Sequence, residues 1–145
     1  MKVDGERGTS VAELAICLPL LLMIVFGIME FGFILYDKAV ITNASREGAR
    51  AGIVFHHPDR ISDGEIITVA TNYCSSYLVN LGGSSSPSVN VTREGPGGGL
   101  AAGDSLRVTV TYSYTFLLLP NWTAWYGSEL PGGITLTAQT VMRLE

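Results

Sequence analysis

Two carboxylates lie at opposite ends of a long apolar segment, and they are the side chains here with the clearest capacity for chemistry. Glu13 stands near the start and Glu30 near the end of the run RGTSVAELAICLPLLLMIVFGIMEFG. A charge at the centre of a bilayer costs roughly 2.5–3.5 kcal/mol on insertion scales, so a charge within such a run needs a reason. Two interpretations of Glu13 are open: its carboxylate reaches the lipid headgroups, or it pairs with a cation when helices associate.

A free α-amino group is one candidate for that cation. A chain cut after Gly8 would begin at Thr9 and would have Glu13 as its fifth residue. The new amino group, from the same subunit or from a neighbour, could then pair with the carboxylate. Such a pair would offset the cost of burying both charges in a helix bundle.

The other chemistry-bearing residues predict less. His56, His57 and Asp59 invite a metal site, but neighbours in sequence seldom bind one ion and the chain has no further histidine, so a solvated turn is favoured. Cys17 and Cys74 are expected to be free thiols. We therefore expect no metal, no cofactor and no catalytic site.

The element that positions both glutamates is predicted to be one long helix. Residues Val11–Tyr36 would form a helix of roughly 39 Å, which is longer than a bilayer core requires. No small-residue cleavage site of the secretory type follows the run. We predict a helix from about Thr9 to Phe55, with a transmembrane part at residues 9–36 and an extracytoplasmic domain at residues 37–145.

Glycines within the apolar run allow two interpretations. Gly27 and Gly32, together with Glu30, could form a surface on which another helix packs closely, because glycine lets backbones approach. Alternatively, the glycines are simply tolerated, as glycine and proline often are in membrane helices.

Several sequence blocks carry a resemblance to a known family. The stretch GTSVAEL, residues 8–14, is similar to the class III signal of type IV pilin-like proteins. The longer stretch, about residues 8–55, resembles the TadE-like family of tight-adherence (Flp) pilus and secretion loci. The blocks that carry this resemblance are V-A-E-L-A at residues 11–15, L-P-L-L-L at 18–22, F-G-I-M-E-F-G at 26–32 and R-E-G-A-R-A at 46–51.

The resemblance implies a pseudopilin-like protein of a bacterial inner membrane. Residues 1–8 would be a leader peptide, cut by a prepilin peptidase between Gly8 and Thr9. Lys2 and Arg7 would keep that leader cytoplasmic, leaving the C-terminal domain periplasmic or extracellular. The implied partners are pilus or secretion machinery proteins, other pilin-like subunits and the prepilin peptidase.

The remainder of the chain predicts an α+β head with one helix and three antiparallel strands. Ser62 and Glu65 form a capping box before a helical stripe that runs from Ile66 to Leu81 and that Gly82-Gly83 would end. Strict alternation over residues 106–116 predicts a strand with one packed face and one wet face. A weaker strand precedes it, and another follows at residues 134–142.

An aromatic connection between the last two strands is the remaining candidate surface. Trp122, Trp125 and Tyr126 are amphipathic and typical of interfaces, although a loop folded onto its own core would explain them equally well. The net charge of −4 and the lack of a basic cluster argue against a nucleic-acid partner. The sequence thus favours an assembly component, with an anchored binding module that never enters a filament as the alternative and an anchored hydrolase as the least expected.

Overall fold

The structure is a computed structural model that describes residues 4–54, 60–79, 85–96, 101–116 and 133–144, with side chains from residue 10 onward. It contains two helices and three strands. They are α1 (Asp4–Ile53), α2 (Asp63–Tyr77), β1 (Ser88–Glu94), β2 (Ser105–Thr115) and β3 (Gly133–Arg143). The three strands form one antiparallel sheet, so the predicted α+β class is confirmed.

Helix α1 is a single element of 50 residues that carries Pro19 in its interior. In the middle of a helix, proline removes one backbone hydrogen bond and clashes with the preceding turn. A helix that lies in a membrane tolerates an internal proline better than a helix in water, since neighbouring groups form hydrogen bonds with the freed carbonyl. The prediction of one unbroken helix is confirmed.

Helix α2 begins with the predicted capping box and ends earlier than predicted. The Ser62 hydroxyl accepts a hydrogen bond from the Glu65 amide, and the Glu65 carboxylate accepts one from the Ser62 amide at 2.8 Å. The helix ends at Tyr77 because Leu78 is extended, with φ −67° and ψ 137°. The prediction that the helical stripe continues to Leu81 is therefore wrong.

The early end of α2 has a tertiary cause. One residue beyond the extended Leu78, the amide of Val79 donates a hydrogen bond of 3.2 Å to a carboxylate oxygen of Asp37 on α1. In a continued helix this amide would instead bond to a carbonyl of the preceding turn. The hydrogen bond to Asp37 takes the place of that helical bond.

The sheet has the strand order β1-β2-β3, with Val91 opposite Val108 and Val108 opposite Thr140. Its inner face is apolar and its outer face carries mainly threonine, serine and charged side chains, as the alternation predicted. The fully or nearly buried residues of the inner face are Leu106, Val108, Val110, Tyr112, Tyr114, Leu136 and Ala138.

Both helices cover that inner face. Ile41 and Ala44 of α1 and Ile66, Ala70 and Cys74 of α2 are completely buried. Burial raises the pKa of the Cys74 thiol to about 11, so this thiol stays protonated at neutral pH. Both cysteines are free, as predicted, and Cys17 is exposed.

Small residues let α1 lie close to α2 and to the sheet. A Cβ added at Gly52 would lie 2.4 Å from the Leu106 Cδ2 atom and 2.7 Å from the Ile66 Cδ1 atom. Both of those side chains are fully buried, so neither has free space into which to move. Gly52, directly after the R-E-G-A-R-A block, is therefore a point at which α1 lies against both α2 and β2.

We expect Gly52→Ala to destabilise the head. Overpacking a filled core costs about 1–3 kcal/mol, and contacts as short as 2.4 and 2.7 Å place Gly52→Ala in the upper part of that range, at about 2–3 kcal/mol. The higher helix propensity of alanine offsets up to about 1 kcal/mol, so we expect a net loss of about 1–2 kcal/mol. The control is Gly64→Ala in α2, where an added Cβ would meet only the Ser62 hydroxyl at 3.9 Å. Chemical denaturation of the full chain in detergent micelles measures both variants, and equal stabilities would contradict the packing argument.

Candidate functional site

The first half of α1 extends away from the rest of the protein. No side chain from Ser10 to Met29 is buried, although most of them are apolar. At 1.5 Å per residue, this stretch of roughly 20 residues spans about 30 Å, the hydrocarbon thickness of a typical bilayer. Its mean hydropathy reaches 2.6. By length and composition α1 is a candidate membrane-spanning helix, and we call residues 10–29 the rod.

Three of the predicted assembly positions are open to the surroundings. The side chain of Glu13 is exposed. A Cβ added at Gly27 or at Gly32 would meet no atom within 4 Å. Their predicted roles in charge pairing and helix packing concern contacts with other molecules, so these roles stay predictions.

Glu30 differs from the other predicted positions, because the head covers it. We define the head as α2, residues 78–79 that follow it, and the three strands. The Glu30 side chain is only 1% exposed, and the Tyr114 hydroxyl of β2 donates a hydrogen bond of 2.7 Å to its Oε1 atom. A buried carboxylate needs such a donor, because removing it from water without one is costly. This hydrogen bond joins α1 directly to β2 of the head.

The Tyr114 phenol is held in its neutral, donating form. Burial raises its pKa, and the hydrogen bond and the charge of Glu30 raise it further, with smaller contributions from Asp37 and Tyr112. The ring also makes an edge contact with the ring of Phe116, with 6.1 Å between the centroids. Tyr114 therefore acts as a fixed hydrogen-bond donor at the point where α1 enters the head.

A second buried carboxylate lies two helical turns beyond Glu30. Asp37 is completely buried, and seven residues of separation place it on the same face of α1. Its Oδ1 atom accepts the Val79 amide, whereas its Oδ2 atom is buried without a hydrogen-bond partner. Burial raises the pKa of Tyr112 on β2. A hydrogen bond with Ser85 lowers that pKa, and the charge of the nearby Asp37 raises it.

Strand β3 is bound to α1 by two further polar contacts. The Lys38 ammonium group donates a hydrogen bond to the Thr137 carbonyl. The hydroxyls of Ser45 and Thr140 lie 2.7 Å apart and share a hydrogen bond. Together with the bonds of Glu30 and Asp37, these contacts connect α1 to β2, to β3 and to the end of α2.

Sequence reasoning placed Glu30 among the helix-packing residues and did not identify its partner. The alternation over residues 106–116 puts Tyr112 and Tyr114 on the same face of β2, and a tyrosine on a packed face carries a hydroxyl that needs a partner. Asp37 was treated only as the start of the extracytoplasmic domain. Its spacing of seven residues from Glu30 was the available signal, because it places both acids on one face.

Some predicted positions fall outside what the structure describes. Trp122, Trp125 and Tyr126 lie outside the described residues, as do the two adjacent histidines with their aspartate. The backbone at Gly8 and Thr9 is helical, but their side chains are not described. Within the described ranges, no group of three or more histidine, cysteine or acidic side chains could hold a metal ion.

We call the contacts of Glu30 with Tyr114 and of Asp37 with Val79 the junction. The fold and this junction define a class of protein: a single apolar rod continuous with one α+β head, the two joined through buried carboxylates on the same helix. Residues 8–50 match the family model described as TadE-like protein. The resemblance predicted from the sequence is therefore confirmed over almost the whole of α1. A comparison with curated proteins and one with solved structures each found no match.

The matched region coincides with the rod and the junction. It begins at Gly8, before the rod, and ends at Arg50, within the last turns of α1, so it includes both glutamates and Asp37. A TadE-like segment implies an association with a tight-adherence (Flp) pilus system. The match does not extend to α2 or to the sheet.

We expect Tyr114→Phe to weaken the attachment of the head to α1. The substitution removes the donor to Glu30 and leaves a buried carboxylate oxygen with one hydrogen bond fewer, which costs about 1–3 kcal/mol. Unfolding of the full chain in detergent measures the change. The matched control is Tyr77→Phe on α2, where the side chain is 53% exposed and a change within about 0.5 kcal/mol is expected.

A double-mutant cycle isolates the interaction between these two side chains. In a Glu30→Leu background there is no carboxylate to satisfy, so Tyr114→Phe should cost much less than it does in the native chain. Equal losses in the two backgrounds would show that the Tyr114 hydroxyl does not stabilise the junction through Glu30.

Proposed function

We propose that this protein is a membrane-anchored, pseudopilin-like component of a tight-adherence (Flp) pilus assembly or of a related secretion apparatus. The rod would cross the inner membrane with its N-terminus in the cytoplasm, and the head would face the periplasm or the exterior. The single observation that carries the proposal is an apolar rod without any buried side chain that falls within a TadE-like match.

The proposed action is bundling of the rod with like helices. Large apolar side chains are exposed all along the rod, among them Val11 at 67%, Ile16 at 77% and Ile28 at 68%. In a bilayer, lipid tails surround such apolar side chains as favourably as another helix does. The driving force for bundling must therefore come from close packing or from polar pairs. The exposed Glu13 and the open space beside Gly27 and Gly32 could supply both.

Glu13 is proposed to pair with an α-amino group created by cleavage after Gly8. The structure leaves this carboxylate exposed near the N-terminal end of the rod, where a neighbouring helix could reach it. Neither charge is stable alone in an apolar bundle, because an unpaired buried ion is costly. Together they would fix how far one rod is shifted along the next.

We expect Glu13→Gln to reduce incorporation of the protein into its assembled complex by at least about tenfold, which corresponds to about 1.4 kcal/mol. The measurement is the amount of variant that co-purifies with the complex, relative to the amount in the membrane. Glu47→Gln is the matched control, since Glu47 is also an exposed acid on α1 but lies at the level of the head. Full incorporation of the Glu13 variant would remove charge pairing from the proposal.

Cleavage is tested by intact-mass analysis of the membrane-extracted protein, with and without a prepilin peptidase. A mature form beginning at Thr9 is expected only when the peptidase is present. An unchanged mass, with the protein still in the membrane, would favour the second candidate function. That candidate is an anchored extracytoplasmic binding module outside any filament, with the segment that contains Trp122, Trp125 and Tyr126 as its contact surface.

A further inference from the structure

Two faces of α1 differ sharply just beyond the rod. On one face, Glu30 and Asp37 are 1% and 0% exposed because the head covers them. On the other faces of the same two turns, the apolar side chains of Phe31 and Leu35 remain 60% and 54% exposed, and Tyr36 is 46% exposed. The apolar exposed surface of α1 therefore continues for about two turns past the point at which the head begins.

This surface extends from α1 onto the head. A groove of about 380 Å³, with an almost entirely apolar lining, lies between α1 and the segment that follows α2. Its lining residues are Met29, Gly32, Phe33, Tyr36 and Val79. Ile134 of β3 lies at the end of the sheet where Tyr114 contacts Glu30. It is opposite Tyr114 in the strand register and is 36% exposed. We call the groove, Phe31, Leu35 and Ile134 the head base.

Charged groups on α1 are arranged as contact with lipid would require. Between Glu13 and Lys38 the only charged side chains are Glu30 and Asp37, and both are turned inward. If water surrounded this part of α1, burying Glu30 and Asp37 would bring no benefit, because removing a carboxylate from solvent is costly. Exposed charges on α1 resume at Lys38 and continue with Arg46, Glu47 and Arg50.

The length of the apolar surface places the head base near the edge of the hydrocarbon core. From Ser10 to Tyr36 the helix covers roughly 40 Å at 1.5 Å per residue, whereas the hydrocarbon core is about 30 Å and the bilayer with its headgroup regions is about 40–45 Å. If the rod spans the hydrocarbon core, the two turns after it begin at one edge of that core and extend about 11 Å, which takes them through a headgroup region of about 5–8 Å. Tyr36 and Lys38 are residue types that favour this region, because each has an apolar body and a polar end.

We propose that the head base is a membrane-docking surface, occupied by the headgroups and upper acyl chains of the leaflet from which α1 emerges. The inference rests on the proposed function only for the membrane anchor itself, and it does not require a filament. Buried Glu30 and Asp37 let the head settle onto lipid without exposing a carboxylate. A head docked in this way has a fixed orientation relative to the membrane.

Site-directed spin labelling tests this docking. In a Cys17→Ser background, a single cysteine replaces Leu35, and two controls replace Ile24 in the rod and Ile67 on α2, which is 37% exposed. The buried, protonated Cys74 should not react, and the background protein alone verifies this. The full chain is reconstituted in vesicles of phosphatidylethanolamine and phosphatidylglycerol, and collisions with oxygen and with a water-soluble nickel complex are measured.

The expected result is that the label at position 35 collides with oxygen several-fold more readily, relative to the nickel complex, than the label at position 67. Its depth should be shallower than that of the label at position 24. A position 35 that behaves like position 67, with position 24 in lipid, would overturn the docking and leave the anchor intact. A position 24 exposed to water would overturn both the docking and the proposed anchor.

A second copy of the chain is the competing occupant of this surface. If protein covers the head base, the label at position 35 should be shielded from both reagents, and lowering the protein-to-lipid ratio about tenfold should relieve the shielding. That outcome would overturn docking onto lipid. Oxygen accessibility that does not change with this ratio supports it.

Discussion

The structure depends on the burial of two carboxylates of one helix beneath a head that follows it in sequence. Carboxylates removed from water must be hydrogen bonded, and the head supplies the Tyr114 hydroxyl to Glu30 and the Val79 amide to Asp37. Because the two acids lie on one face of α1, these bonds fix the rotation of the helix relative to the sheet. They also determine which side chains of α1 remain uncovered.

One continuous helix meets two different environments on either side of this junction. Before it, α1 carries no charged side chain over residues 14–29, which suits a helix surrounded by lipid or by other helices. After it, the covered face includes the small residues Ala44, Gly48, Ala49 and Gly52, and the glycines allow close contact with α2 and β2. The opposite face becomes charged only from Lys38 onward. The helix is continuous across this change, so the rod leads directly into the segment that the head covers.

Much of the fold could be predicted because its signals are local. The apolar run, the capping box of Ser62 and Glu65, and the alternation along β2 each depend on neighbouring residues, and each appears in the structure as predicted. The end of α2 could not be predicted in this way. Its apolar stripe continues to Leu81 in sequence, but the hydrogen bond from Val79 to Asp37 joins residues 42 positions apart and ends the helix at Tyr77.

By itself, the sequence determined that a membrane-compatible helix leads into an α+β head and that its N-terminal region is TadE-like, since periodicity and motif spacing are properties of the chain. Only the tertiary structure decided that Glu30 lies under the head while Glu13 remains exposed. The two glutamates look alike in sequence because each stands beside the same apolar run. They differ in the folded protein because β2, more than 80 residues further along, brings a tyrosine hydroxyl to one of them and not to the other.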